Sequence, residues 1–392
     1  IDINSVGSVN LVGNLVTTGV AGNSTTTAGA TGGAVTIDTT DSAATITLSN
    51  ITTTGGAADE DSNAKGGDAG TITLTTHADG TITLDDSTIT AAGGAGDGTG
   101  VQGAGANITF ANKVALTTGS AVIDTGATGG NIAFQNTLNG GQALELTAGT
   151  GNLTLTGPVG GTDRVGVIDI VSVADMTANA ITAASLTQQT GFGTTTFNGA
   201  IDTDTTAGVS VTSTELVVNS TINTKAAGTV TFGQSGTATI AAAGDITADG
   251  AVSITAAAGI STAGDITTTN DNVTFVSATT LTGGIVINTG TGAGTVAFNS
   301  ALDSEASENN TLEITAGSGN IDFDAAVGST VDGELGAITV SSVATLTADN
   351  TIEAASFTQS GGSSLTRFDG AVTLTGNFDF TGQALTLNSA LS

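Results

Sequence analysis

A chain of 392 residues with 58 Gly, one Pro, no Cys, Trp or Tyr, and twelve Phe as its only aromatics is too poor in large side chains for several compact globular domains. Its formal net charge of −30, from 35 acidic residues against Lys65, Lys113, Arg164, Lys225 and Arg367, excludes nucleic-acid binding through a basic face and polybasic contact with anionic lipid. A hydrophobic fraction of 38% with mean hydropathy +0.26 excludes general disorder, and no apolar run reaches transmembrane length.

In chain order, the recurrent unit is a short alternating word closed by Gly or Asn. Through residue 106 the words are Ala34-Val35-Thr36-Ile37, Ala44-Thr45-Ile46-Thr47-Leu48, Thr71-Ile72-Thr73-Leu74 and Thr81-Ile82-Thr83-Leu84. Apolar residues alternating with Thr predict strands with one buried and one polar face. Between them lie Gly-rich or acidic stretches at 55–70 and 91–106, expected to project sideways from a stack. The single histidine, His77, follows a strand word and is expected in an exposed turn. Further words are Leu144-Glu145-Leu146, Leu153-Thr154-Leu155, Val209-Ser210-Val211 and Val252-Ser253-Ile254. The Ala-rich segment 174–187 and its counterpart 344–358 carry enough Thr to favour strand and bend over helix. A third acidic loop falls at 301–310.

Two periods organise these words. Gly244-Asp245-Ile246-Thr247 returns as Gly264-Asp265-Ile266-Thr267, twenty residues later. On a longer scale, residues 107–222 are rewritten at 272–391: Phe110 matches Phe275, Phe134 matches Phe298, Leu144 matches Leu312, Ser185 matches Ser356, Phe197 matches Phe368 and Asn219 matches Asn388. Antiparallel sandwiches also turn every 8–12 residues. They seldom repeat one word at one phase with so few large hydrophobes, whereas a solenoid stacks equivalent coils. The expectation is all-β: a right-handed parallel β-helix of about 20–21 residues per coil and roughly 18–19 coils, a rod on the order of 90 Å long. Residues 1–392 are expected to form one continuous solenoid. Irregular coils occupy 1–106, a first long repeat 107–271, and a second, incomplete one 272–392. The start at Ile1 without Met and the stop in mid-repeat at Ser392 suggest a piece of a longer chain.

The run ATIAAAGDITADGAVSITAAAGISTAGDITT at 238–268 is similar to the repeats of filamentous-haemagglutinin-type bacterial adhesins. The long unit, with LTAGTGNLTLTGPVGG and FNGAI, resembles the β-strand repeats of very large bacterial surface proteins. The resemblance covers most of 107–392 and, more loosely, 1–106. It implies a right-handed parallel β-helix exported from a bacterium and displayed as a fibre.

No residue is nominated as catalytic. A lone His cannot complete a His-based metal site or a triad. The acid pairs Asp202 with Asp204, Asp322 with Asp324, and Asp85 with Asp86 could bring carboxylates together on one face, as parallel β-helix glycosidases need. The copies of the long repeat do not keep them: Asp202 and Asp204 correspond to Thr-rich sequence near Thr373. Asp59, Glu60, Asp61 and Asp68 form the one candidate Ca²⁺ site, with a solvated acidic loop as the competing reading. Thr-x-Thr words at 45–47, 71–73, 81–83 and 154–156 suggest ice binding only if Thr pairs hold one phase over many coils. Sequons occur at Asn23, Asn50, Asn107, Asn152, Asn219, Asn272 and Asn309; several are expected by chance in a chain so rich in Asn, Ser and Thr, with glycan decoration as the alternative.

The expected function is therefore mechanical: a non-catalytic segment of a secreted or cell-surface bacterial fibre or adhesin. The absence of Cys permits that location. Two rivals are a subunit that polymerises by end-to-end stacking with itself or neighbouring repeats, and an adhesin whose lateral loops bind host or environmental glycans.

Overall fold

The structure, a computed structural model, describes residues 1–23, 27–60 and 62–392. Among these residues there is no helix, and every strand pairing is parallel and joins one coil to the next, as in a β-solenoid. The chain divides into two compact units, Ile1–Asn198 and Gly199–Ser392.

In the first unit each coil presents up to three short strands, and the strands of successive coils build three parallel ladders. One ladder runs through Ile3, Ile37, Leu74, Phe110, Phe134, Leu155, Ala178 and Phe197. A second joins Val9, Ile46, Ile82, Val114 and Leu138. The third runs through Leu15, Ile51, Ile89, Ile123, Leu146, Ile170 and Gln188. Alternation sets what is inside: Val35–Thr39 buries its first, third and fifth residues, and Ile108–Phe110 its first and third. Stacking like residues leaves Val, Ile, Leu and Phe in a narrow core at 0–2% exposure at most positions, which explains how a chain without Trp or Tyr still buries a core.

The coils are longer than expected. Steps along the first ladder are 34, 37 and 36 residues, then 24, 21, 23 and 19. In the second unit the ladder through Ile201, Ile222, Ile246, Ile266, Ile287, Ile314, Val340, Gln359 and Phe380 steps by 19 to 27 residues. Seven steps in one unit and eight in the other replace the 18–19 coils expected for the chain. The largest part comes from the first three steps, which carry lateral excursions that contain none of the strand words; the rest comes from steps of 24, 26 and 27 residues in the second unit. The echo of Gly244–Thr247 is an in-register step, with Ile246 on Ile266 and Thr247 on Thr267.

Residues 17–23, 27–33, 53–60, 62–70 and 91–106 lie outside the coil strands, in Gly-rich arms that pair as hairpins. Their backbone bonds recur every third residue. Along the stack, Gly29 and Gly32 donate to the carbonyls of Lys65 and Asp68, and Gly66 and Ala69 to those of Val101 and Ala104. Across each hairpin, Ala30 and Gly33 donate to Val20 and Thr17, Gly67 and Gly70 to Gly56 and Thr53, and Gly103 and Ala106 to Gly94 and Ala91. A three-residue period is that of the polyproline II helix, here bonded to neighbours in two directions as a lattice. Glycine is required because backbones touch: a Cβ on Gly55 would lie 1.8 Å from the Gly67 carbonyl oxygen, and one on Gly67 1.9 Å from that of Ala30. At the neck of the second hairpin the buried Thr53 hydroxyl donates to the Gly70 carbonyl at 2.5 Å.

The long duplication is a duplication of coils in register. Phe110, Phe134, Leu155, Ala178 and Phe197 occupy successive steps in the first unit, and Phe275, Phe298, Phe323, Ala348 and Phe368 do so in the second. Phe110 stacks on Phe134 at 4.5 Å, and Phe275 on Phe298 at 4.7 Å. The copies share a register shift, at Leu146/Thr147 and at Ile314/Thr315. They also share a buried polar pair: Thr195 Oγ1 donates to Gln188 Oε1 at 2.9 Å, and Thr366 Oγ1 to Gln359 Oε1 at 3.0 Å. The Ala-rich segments form strands, Met176–Ala178 with Ile181–Gln188 and Leu346–Ala348 with Ile352–Gln359.

Gln359 is 1% exposed, and its amide nitrogen has no partner. Thr366→Val also strips the Oε1 bond, so urea unfolding should show a loss of about 1–3 kcal/mol. Thr366→Ser, which keeps the donor, should lose less.

Candidate functional site

The outward positions are mostly committed to holding neighbouring coils. Asn107 Oδ1 accepts from the Asn131 amide at 2.9 Å, Asn131 Oδ1 from Asn152 at 2.9 Å, Asn152 Oδ1 from Asp175 at 3.1 Å, and Asp175 Oδ1 from Thr194 at 2.8 Å. In the second copy Asn272 and Asn320 accept from Thr295 and Thr345. Asn50 accepts from the Thr88 amide and donates to Asn14. The sequon residues Asn50, Asn107, Asn152 and Asn272 thus have a structural role as ladder rungs.

The acid pairs are placed similarly. Asp202 accepts from Lys225 Nζ at 2.7 Å and Asn223 Nδ2 at 3.0 Å, Asp322 from Thr347 Oγ1 at 2.7 Å, and Asp85 from the Thr118 hydroxyl. Asp204 and Asp324 lie one residue beyond the strands Ile201–Thr203 and Ile321–Phe323. Thr pairs stay in phase over one step only, Thr45 with Thr81 and Thr47 with Thr83, before Lys113 and Ala115 replace them. A single Thr column is longer: Thr36, Thr73 and Thr109, then Ala133, then Thr154, Thr177 and Thr196.

Of the calcium candidates, Asp61 lies outside the described residues. Asp68 pairs with Lys65 Nζ at 2.7 Å and accepts the Ala104 amide at 2.7 Å. The Lys65 bond, and next the Ala104 amide, hold its carboxyl below the ordinary range. Asp59 and Glu60 sit at the far end of the hairpin, and the Asp59 amide donates to the Thr27 carbonyl. Among the described residues, no three His, Asp or Glu side chains converge as a metal site. His77 is exposed in its turn, with Nδ1 3.9 Å from Asp79.

The second unit has an open groove of about 310 Å³, lined by Asn309, Glu334, Glu353, Ala354, Ala355, Thr373 and Thr375. Glu353 is carried by the strand Ile352–Gln359, and its backbone amide is bound to the Val327 carbonyl. Glu334 immediately precedes the strand Leu335–Ser342, and the Asn309 amide group donates to its carbonyl at 3.3 Å. The loop bearing Asn309 is pinned by the bonds from the Ser307 amide to the Asp332 carbonyl and from Asn310 Nδ2 to the Leu281 carbonyl. Two carboxylates, an amide and two threonines line it, with no basic residue on the wall. Glu334 and Glu353 are nineteen residues apart in the chain, and stacking brings them to one groove. Between the copies its wall is rewritten: Glu334 and Glu353 replace Arg164 and Thr182, and Thr373 and Thr375 replace Asp202 and Asp204.

No family model, curated protein or solved structure matches the chain. No helix among the described residues is long and apolar enough to cross a membrane.

Proposed function

We propose that this chain is a structural, non-catalytic segment of a bacterial cell-surface or extracellular fibre or adhesin, acting as shaft material. The observation that carries this reading is the in-register duplication. Core phenylalanines, the register shift and the buried Gln–Thr pair are all copied together, as repetition of one coil design requires. The outward rows support it, since Asn and Asp side chains there bond the next coil. The net charge of −30 would keep such a shaft dispersed and discourage side-by-side association. Electron microscopy of the purified protein tests the reading: elongated particles of uniform width are expected, and globular particles would sink it.

A further inference from the structure

We propose that the third Gly-rich arm, residues 91–106, is an acid-released flap: two carboxylates clamp it to the second arm, residues 53–60 and 62–70, and protonating them frees it while the first two arms stay paired. This inference stands apart from the shaft reading and holds whether or not that reading survives.

The two junctions between arms share one main-chain pattern. From the first arm to the second, Gly19, Gly22, Gly29 and Gly32 donate to the carbonyls of Thr54, Ala57, Lys65 and Asp68, and Gly56 and Asp59 donate back to Ala30 and Thr27. From the second arm to the third, Gly55, Ala58, Gly66 and Ala69 donate to the carbonyls of Ala92, Ala95, Val101 and Ala104, and Gly94 and Asp97 donate back to Gly67 and Ala64. Main chain alone would make the two junctions alike.

Charge separates them. Asp68 of the second arm accepts the Ala104 amide of the third at 2.7 Å. Asp97 of the third arm accepts the Ser62 and Asn63 amides of the second at 2.8 and 3.2 Å. One clamp lies toward the root of the arms and the other at their tips, and each arm supplies one carboxylate. Asn63 Oδ1 adds a neutral bond, accepting from the Thr99 amide at 3.0 Å. Residues 17–33 contain no ionisable side chain, so the first junction lacks this reciprocal clamp.

A hydrogen bond to a carboxylate is roughly twice as strong as one to a neutral acceptor, so protonation weakens each clamp. Lys65 Nζ shares the Asp68 oxygen with Ala104, at 2.7 Å, and that bond, ahead of the amide, holds the Asp68 carboxyl below its ordinary range. The Asp68 clamp is therefore complete above the ordinary carboxylate range and is lost as pH falls through the lowered value. The other charged groups on the arms are Asp59 and Glu60, with Asp61 outside the described residues. In the coil above, Asp124 is engaged with the Gly126 amide at 2.6 Å. The third arm is the one free to lift, because the next step of the ladder shortens from 36 to 24 residues and carries no arm. Its root stays tied there by the Thr128 hydroxyl, which donates to the Gly103 carbonyl at 2.5 Å.

The test is hydrogen exchange of the full chain, read as protection factors at about pH 6 and about pH 2.5, on either side of the carboxylate range. Protection of the Gly66, Ala69 and Gly94 amides should fall at least about fivefold in acid, while that of Gly29, Gly32 and Gly56 changes by less than about twofold. The double variant Asp68→Asn with Asp97→Asn keeps the acceptor oxygens without their charge. It should show the acid pattern already at about pH 6 and lose the pH dependence. Equal loss at Gly29, Gly32 and Gly56 would overturn the inference, since all three arms would then melt together. So would a pH response that survives in the double variant, or protection at neutral pH that depends on added calcium chloride.

Discussion

Replacing Gly67 with alanine should cost about 3 kcal/mol or more, beyond the middle of the usual overpacking range, and should unravel the Gly-rich lattice while sparing the coils. Gly67 is at the centre of that lattice. Its amide donates to the Gly56 carbonyl at 2.7 Å, and its own carbonyl accepts from Gly94 at 2.8 Å. The new Cβ would stand 1.9 Å from the Ala30 carbonyl oxygen. That obstacle is backbone, so no rotamer change relieves it; the hairpins must separate and lose bonds in both directions. Few large apolar side chains lie in these hairpins, so little burial opposes their opening. Hydrogen exchange should show fast amides at Gly56, Gly67, Gly94 and Gly103 while Ile72, Ile108 and Ile132 stay protected. Gly141→Ala is the control: nothing lies within 4 Å of its added Cβ, so it should be neutral or stabilise by about 0.4–1 kcal/mol. Equal effects from the two substitutions would mean that the hairpins are loose loops.

This contrast also marks where sequence reading succeeds and stops. The coil core is written in side chains. Ile72, Ile82 and Ile108 alternate with polar residues, and the alternation predicts which face is buried. The Gly-rich hairpins are held by main chain on main chain, so their only trace is glycine at intervals of three, as at Gly29 and Gly32 or Gly67 and Gly70. Read as loops, they made the first coils look irregular and the coil period too short. The groove at Glu334 and Glu353 left a different trace. Aligning the copies by their phenylalanines shows the shared core, and the groove lies where the copies disagree, Arg164 against Glu334, Thr182 against Glu353, Asp202 against Thr373 and Asp204 against Thr375. Asp68 was legible as an acid in an acidic loop, yet its partners Lys65 and Ala104 follow from the stacking of one hairpin on the next.

Phe298→Ala should be the most damaging single truncation in the second unit, and its comparison with Phe134→Ala isolates the value of stacking. Phe298 is 1% exposed and lies between two parallel rings, Phe275 at 4.7 Å and Phe323 at 5.5 Å, with interplanar angles of 3° and 10°. Phe134, its counterpart, has one ring neighbour, Phe110 at 4.5 Å, and meets Leu155 on the other side. Removing a buried Phe costs about 3–5 kcal/mol through lost transfer energy and the cavity left behind. An aromatic pair adds about 0.5–1.5 kcal/mol, so Phe298→Ala should exceed Phe134→Ala by roughly 1 kcal/mol. Phe323→Leu, which restores the first copy's arrangement, should remove most of that difference when combined with each truncation. Because each coil contacts chiefly its neighbours, the damage should be local, with urea unfolding losing a single sharp transition and the coils around Phe298 exchanging first. Uniform loss of protection through Gly199–Ser392 would show instead that the unit unfolds as one cooperative body, and that the duplicated coils do not contribute stability separately.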